Sequence, residues 1–206
     1  MEKKGLLFVI SGPSGAGKGT LTRELLARRT DMAYSVSATT REVRPGEEEG
    51  LTYYYLSREE FQERIRAGLF LEYAEVYGQY YGTPKDRVIS ALETGRSMVL
   101  EIDIQGALQV KKNYPGAVCV YVLPPSMETL RERIVQRNRD TMEEIEERLR
   151  NVRRELSYID RYDYVLINDD MERATEQLVR IVDRERARLG QKSGKEEATT
   201  YEGAEH

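Results

Sequence analysis

The ten residues from Ser11 to Thr20, SGPSGAGKGT, have the G-x-x-x-x-G-K spacing of a loop that grips phosphate. Gly12, Gly15 and Gly17 let the backbone turn tightly and aim its N–H groups inward. The helix that follows adds its positive N-terminal end, and Lys18 supplies a mobile cation for β and γ phosphates. Pro13, Ser14 and Ala16 complete the cradle for a nucleoside triphosphate. The residue after the lysine is ordinarily Ser or Thr, whose hydroxyl touches magnesium; here it is Gly19. The grip itself survives, being made of backbone and lysine. Thr20, one step further round, is placed for the α-phosphate, which leaves Mg²⁺ to nucleotide oxygens and water, with no direct protein ligand.

Other residues point to a second anion. SVSATTREVRPGEEEGLTYYYL puts Arg41 and Arg44 on one short loop, where two guanidinium forks hold a separate phosphate or else form a salt-bridged surface. Asp103 closes the apolar run SMVLEID, the place of an acid that orients magnesium or its waters, and is equally a helix cap. Glu101 lies two residues earlier on the same strand face. There is no N-K-x-D guanine box, which disfavours a hydrolytic switch. The sole histidine, His206, lies in the tail, against a phosphohistidine intermediate.

The elements that must carry these residues alternate. LLFVIS, SMVLEID, AVCVYVL and DYVLIND read as strands buried on both faces. Each is followed by a stretch with helical apolar spacing, the last from about Met171 to Leu189. This pattern predicts a three-layer α/β fold with a central parallel sheet. Between about Ser35 and Gly82 the texture becomes Tyr-rich and half-polar, with a hairpin near Gly78-Gln79, which predicts an inserted mixed α/β subdomain. Capping boxes open helices at Ser57/Glu60 and at Thr141/Glu144. Residues 126–154 read as nearly all helix, apolar on a narrow stripe and crowded with Arg and Glu. From Gly190 the tail lacks apolar periodicity and reads as disordered.

Length and composition agree. A chain of 206 residues fits one domain with insertions. Lys+Arg 32 against Asp+Glu 36 leaves a net charge of -4, so no global field favours nucleic acid or an anionic membrane. Cys119 is the only cysteine, which excludes an internal disulfide and a cysteine-based zinc cluster, and fits a cytoplasmic protein. No apolar run reaches a membrane span.

Read together, T-T-R, then R, then P-G-E, then G-x-x-Y-x-Y-L, from Thr39 to Leu56, resemble the signature of the guanylate kinases, nucleoside monophosphate kinases with a P-loop NTPase fold. GPSGAGKGT, LEYAEVYGQYYGT, LEIDIQG and YVLINDD extend the resemblance in order over roughly residues 5 to 189. It implies one domain over 1–189: a core of about 1–34, 84–125 and 155–189, a GMP-binding subdomain over about 35–83, a lid over about 126–154, and the tail 190–206 outside. It implies transfer of the γ-phosphoryl of Mg-ATP to GMP, and also to dGMP. Arg41, Arg44, Tyr53 and Tyr81 would take the GMP phosphate, Ser37 and Thr83 would face guanine O6, and Glu72 would accept from N1–H and the 2-amino group. Glu101 matches a family aspartate near the GMP site. Asn168 falls near the donor adenine, and Arg137 and Arg148 match the lid arginines, although Arg137-Asn138-Arg139 departs from the usual R-G-T. Lys18, Arg41, Arg137, Arg148 and Asp103 form the expected catalytic set, with Mg²⁺ as cofactor. The rival readings are adenylate as acceptor, since G-K-G-T is shared, and a non-catalytic scaffold that binds phosphopeptides.

Overall fold

Alternate residues of the first strand face opposite ways, and both sides find a core. In β1 (Leu7–Ser11), Phe8 and Ile10 pack with Leu21, Leu25, Leu178 and Val182, while Leu7 and Val9 pack with Val88, Leu92 and Val110. The helices α1 (Lys18–Arg28) and α7 (Met171–Glu202) therefore cover one face of the sheet, and α3 (Lys85–Glu93) and α4 (Ile104–Asn113) cover the other. The computed structural model describes residues 4–76, 78–136 and 142–202, with side chains undescribed at 144, 148 and from 191 onward.

The central sheet is parallel, in the order β2 (Met32–Tyr34), β7 (Ser97–Glu101), β1, β8 (Val118–Leu123), β9 (Tyr164–Ile167). β1 thus holds the middle position, and the loop after it opens at the C-terminal edge, where open α/β sheets bind ligands. Cys119 on β8 is buried, and burial pushes its thiol up to about 11.

The inserted segment builds a second, mixed sheet in the order β4 (Tyr54–Tyr55), β3 (Ala38–Thr39), β6 (Gln79–Pro84), β5 (Phe70–Val76). β5 and β6 form the expected hairpin, with Val76 opposite Gln79 and Gly78 at φ 77. The helix α2 (Arg58–Arg66) starts with the Ser57/Glu60 capping box and seats Phe61 in a stack with Phe70, centroids 4.3 Å apart, and with Tyr80 at 5.3 Å. The sheet leans on α4 through side-chain to backbone bonds: Gln109 exchanges bonds with the Tyr73 N–H (3.2 Å) and C=O (3.1 Å), and Asn113 donates to the Leu71 carbonyl at 2.7 Å.

The lid region forms α5 (Met127–Gln136) and α6 (Met142–Glu155), which share a small core of Leu130, Ile134, Ile145, Leu149 and Val152. Thr141 of the expected capping box lies outside the described residues, as does the Glu144 side chain. α7 continues past Gly190 to Glu202, beyond the last apolar periodicity of the sequence. Gln191, Lys192, Lys195, Glu196, Glu197 and Ala198 are good helix formers, so local propensity carries the helix on where apolar periodicity has ended. Among the described residues no helix is long and apolar enough to cross a membrane.

Candidate active site

The loop after β1 encloses a cavity of about 620 Å³, lined by Gly12 to Gly15, Gly17 to Thr20, Arg23, Glu101, Asp103 and Glu155. Its shape depends on glycine. Gly12, Gly15 and Gly17 have φ of 142, 96 and 90, and a Cβ on Gly12 would stand 2.2 Å from the Val122 carbonyl oxygen. The Lys18 ammonium donates to the carbonyls of Gly12 (2.5 Å) and Pro13 (3.0 Å), folding over the loop it serves.

Asn168, just after β9, is 2% exposed and donates from Nδ2 to the Ala16 carbonyl at 2.7 Å. A Cβ on Gly17 would lie 2.3 Å from that nitrogen. The amide expected beside a donor base is thus also a buttress of the phosphate loop. Arg133 on α5 donates to the Asn168 carbonyl at 3.4 Å, tying the lid to the same point.

The two acids at the end of the apolar strand both border the phosphate loop. Glu101 puts its carboxylate 3.4 Å from where a Cβ on Gly19 would be and near the Lys18 charge, so it stands beside the phosphate loop. Asp103 also lines the cavity, but it caps α4, accepting from the Gly106 N–H at 2.8 Å, and its charge reaches Glu72. Both acids thus line the donor cavity, and Asp103 in addition caps α4 and leans by its charge toward Glu72. Strand alternation explains the shared face; it could not say which acid met which partner. Burial pushes the Glu101 carboxyl above the usual carboxylate range, against the pull of Lys18.

The second site lies on the inserted sheet. Glu72 on β5 is 7% exposed and Thr83 on β6 is 1% exposed, and the Thr83 hydroxyl donates to Glu72 Oε1 at 2.6 Å. Glu72 Oε2 lies 3.1 Å from where a Cβ on Gly106 would stand. Burial pushes the Glu72 carboxyl above its ordinary value, which the Thr83 bond partly offsets and the Asp103 charge reinforces.

Arg41, Tyr53 and Tyr81, which the resemblance assigns to one phosphate, lie close together. The Arg41 guanidinium lies over the Tyr53 ring at 5.4 Å, and the Tyr53 and Tyr81 rings meet edge-on at 6.0 Å. Arg44 is exposed on the same loop, and Ser37 accepts the Tyr54 N–H at its backbone carbonyl. Arg41 is also held by Glu47, bidentately at 2.7 and 3.0 Å. Arg137 and Arg139 lie outside the described residues, and Arg148 belongs to α6 without a described side chain.

Sequence reasoning missed Arg23, Arg133, Glu47 and Glu155. Arg23 follows Thr20 by three residues, so it shares its helix face, a signal that was available. Glu155 ends α6 and accepts from the Tyr121 hydroxyl at 3.3 Å across the fold, a long-range partnership that no local pattern announces. Among the described residues no group of three or more His, Cys, Asp or Glu side chains is placed to hold a metal ion.

The sequence profile of the family described as "Guanylate kinase" matches residues 4–185. The chain is 49% identical over 187 residues to a guanylate kinase of Clostridium tetani, covering 91% of this chain and 89% of that one. It is 50% identical over 189 residues to a guanylate kinase of Caldanaerobacter subterraneus subsp. tengcongensis, covering 92% of each. The crystal structure of a guanylate kinase from Anaplasma phagocytophilum is similar with a TM-score of 0.69 at 34% identity, over 90% of this chain and 88% of that one.

Proposed function

The chain belongs to the guanylate kinase family, and from that premise we propose how its residues share the work of moving a phosphoryl group from ATP to GMP. The protein has the activity of its family, ATP-dependent phosphorylation of GMP. The observation that carries the base assignment is the buried Glu72 and Thr83 pair, a carboxylate with a hydroxyl set beside it on a sheet separate from the phosphate loop. Guanine presents two adjacent donors, N1–H and the 2-amino group, and one carboxylate takes both.

The donor nucleotide sits on residues 12–20, with Lys18 at its β and γ phosphates and Asn168 by its base. The acceptor phosphate sits on Arg41, Arg44, Tyr53 and Tyr81, with Ser37 toward guanine O6 and Thr83 able to face it once its single hydroxyl hydrogen turns from Glu72. Phosphoryl transfer asks for alignment and charge neutralisation more than covalent help, and the transfer is direct and in line. Lys18, Arg137 and Arg148 neutralise the moving charge, and closure of the subdomain 35–83 and the lid 126–154 onto the core keeps water out of the acceptor position. The carboxylates of Glu101 and Asp103 and the hydroxyl of Thr20 suit Mg²⁺ held through water, since all line the donor cavity. The ion, when bound with ATP, supplies neutralisation of the β and γ phosphates. We also propose use of dGMP, a cytoplasmic location, and no role for nucleic acid.

A coupled assay for ADP tests the reading: ATP with GMP gives ADP and GDP, ATP with AMP gives orders of magnitude less, and ATP alone gives almost none. Equal turnover of AMP would sink the base assignment. Absence of turnover with every monophosphate would favour a binding module.

A further inference from the structure

Glu47 is held more firmly than a surface glutamate. Its Oε2 accepts from the Arg44 N–H at 2.8 Å, the Tyr55 hydroxyl at 2.8 Å and Arg41 Nη1 at 3.0 Å, while Oε1 accepts from Arg41 Nη2 at 2.7 Å. The side chains of Arg41 and Glu47 are only 13% and 18% exposed. The Arg41 bond, then the Arg44 N–H, hold the Glu47 carboxyl down to about 2, so it is a carboxylate at any working pH.

The hydrogens of Arg41 decide what that grip means. A guanidinium has five N–H donors in a plane. Nη1 gives one to the Glu42 carbonyl at 2.7 Å and one to Glu47, and Nη2 gives one to Glu47. The end-on fork between Nη1 and Nη2 is thus filled by a carboxylate. The side-on fork, Nε–H with the outer Nη2–H, is not used by Glu47. An anion therefore need not evict Glu47 to be gripped bidentately. Two anchors that do not involve Arg41, the Arg44 N–H and the Tyr55 hydroxyl, keep Glu47 where it is. The Tyr53 ring below fixes the plane of the guanidinium, and the Tyr81 side chain lies near it.

We propose that Glu47 is a positioning residue for the acceptor phosphate: it stays seated on the end-on fork of Arg41 and so presents the side-on fork to the phosphate of GMP. This rests on Arg41 holding that phosphate, as proposed above. The rival is a placeholder that the phosphate must displace, and it predicts the opposite sign.

The test measures wild type, E47Q, E47A and Y55F by steady-state kinetics and by calorimetric binding of GMP alone. Wild-type turnover of ATP with GMP checks the functional reading independently of any variant. E47A is expected to weaken GMP binding and raise KM for GMP at least about tenfold, the scale of losing a fixed charge-assisted contact, with KM for ATP nearly unchanged. E47Q, of the same size, is expected to resemble E47A, because its amide turns a donor toward the fork. Y55F removes one anchor and is expected to give a smaller loss in the same direction. Tighter GMP binding in E47Q or E47A would overturn the proposal in favour of a placeholder. An equal rise in both KM values, or full affinity in E47Q, would reduce Glu47 to packing. If E47A fails to fold, E47Q and Y55F still decide between these outcomes.

Discussion

The Thr83 hydroxyl donates a 2.6 Å hydrogen bond to Glu72 across the β5–β6 hairpin, and the pair is sealed at 1% and 7% exposure. A buried carboxylate with one oxygen already engaged is an exacting reader of whatever meets it. AMP would offer it a bare N1 acceptor and no 2-amino donor. Unpaired buried polar groups cost about 1 to 3 kcal/mol each, and sites built on hydrogen bonds reject wrong partners by roughly 10⁴. GMP is therefore expected to exceed AMP by several orders of magnitude in kcat/KM, with IMP between them. Glu72→Gln should shrink the GMP to IMP ratio; retention of the whole ratio would show that Glu72 does not read the base.

The same burial gives a pH signature of two opposite signs. The Glu72 carboxyl lies above its ordinary value, so as pH falls it protonates before most glutamates and GMP affinity declines. The stability effect runs the other way. A raised pKa favours the neutral form in the folded state, so this contribution is present below the unfolded value and lost as pH rises through the folded one. Glu72→Gln should then raise Tm near neutral pH, with the gain shrinking toward pH about 4, and should remove its share of the acid loss in KM for GMP. The monophosphate's own ionisation, near pH about 6, remains in both proteins. Coincident melting curves at every pH would remove burial as the governing effect.

Lys18→Ala is expected to abolish transfer while GMP still binds, because the lysine folds over the Gly12 and Pro13 carbonyls and the residues proposed for the acceptor lie on the other sheet. Calorimetry with GMP beside a turnover assay checks both halves. Near-normal turnover would refute the donor assignment.

Glu101 and Asp103 should separate under magnesium titration. Glu101→Gln, beside Gly19 and Lys18, is expected to raise the Mg²⁺ concentration for half activity more than Asp103→Asn does. Asp103→Asn should have little thermal cost, since Asn caps helices almost as well, whereas Asp103→Ala should lose about 1 kcal/mol of stability. A larger magnesium effect at Asp103 would return it to the role its place after the apolar run first suggested.

Asn168→Ala is expected to raise KM for ATP more than KM for GMP, because it frees the Ala16 carbonyl that the amide holds at 2.7 Å. Gly17→Ala should be worse, since it sets a methyl 2.3 Å from Asn168 Nδ2 on a backbone at φ +90. Equal effects on both substrates would mean that the buttress serves the whole fold and not the loop.

Local pattern made the fold legible. Phe8 and Ile10 against Leu7 and Val9 announce a strand covered on both faces, and Ser57 with Glu60 announces a helix start. The donor loop was equally plain, because its chemistry lies in consecutive residues. The residues proposed for the acceptor were legible only through the resemblance, since Glu72 and Thr83 become partners when β5 folds back on β6. Glu47 and Glu155 were not legible at all in role, for their meaning lies in Tyr55 and Tyr121, side chains chosen by the fold. The extension of α7 past Gly190 went unseen because a helix can continue on propensity with no apolar stripe to reveal it.

Gln109 and Asn113 grip β5 by its backbone, at Tyr73 and Leu71, and so are blind to which side chains that strand displays. For protein engineering this means that position 72 can be recoded in a library without undocking the sheet that carries it. The constraint comes from Gly106, whose missing methyl would lie 3.1 Å from Glu72 Oε2. A library aimed at a new acceptor base should therefore vary residues 72, 83 and 106 jointly, and leave 109 and 113 alone.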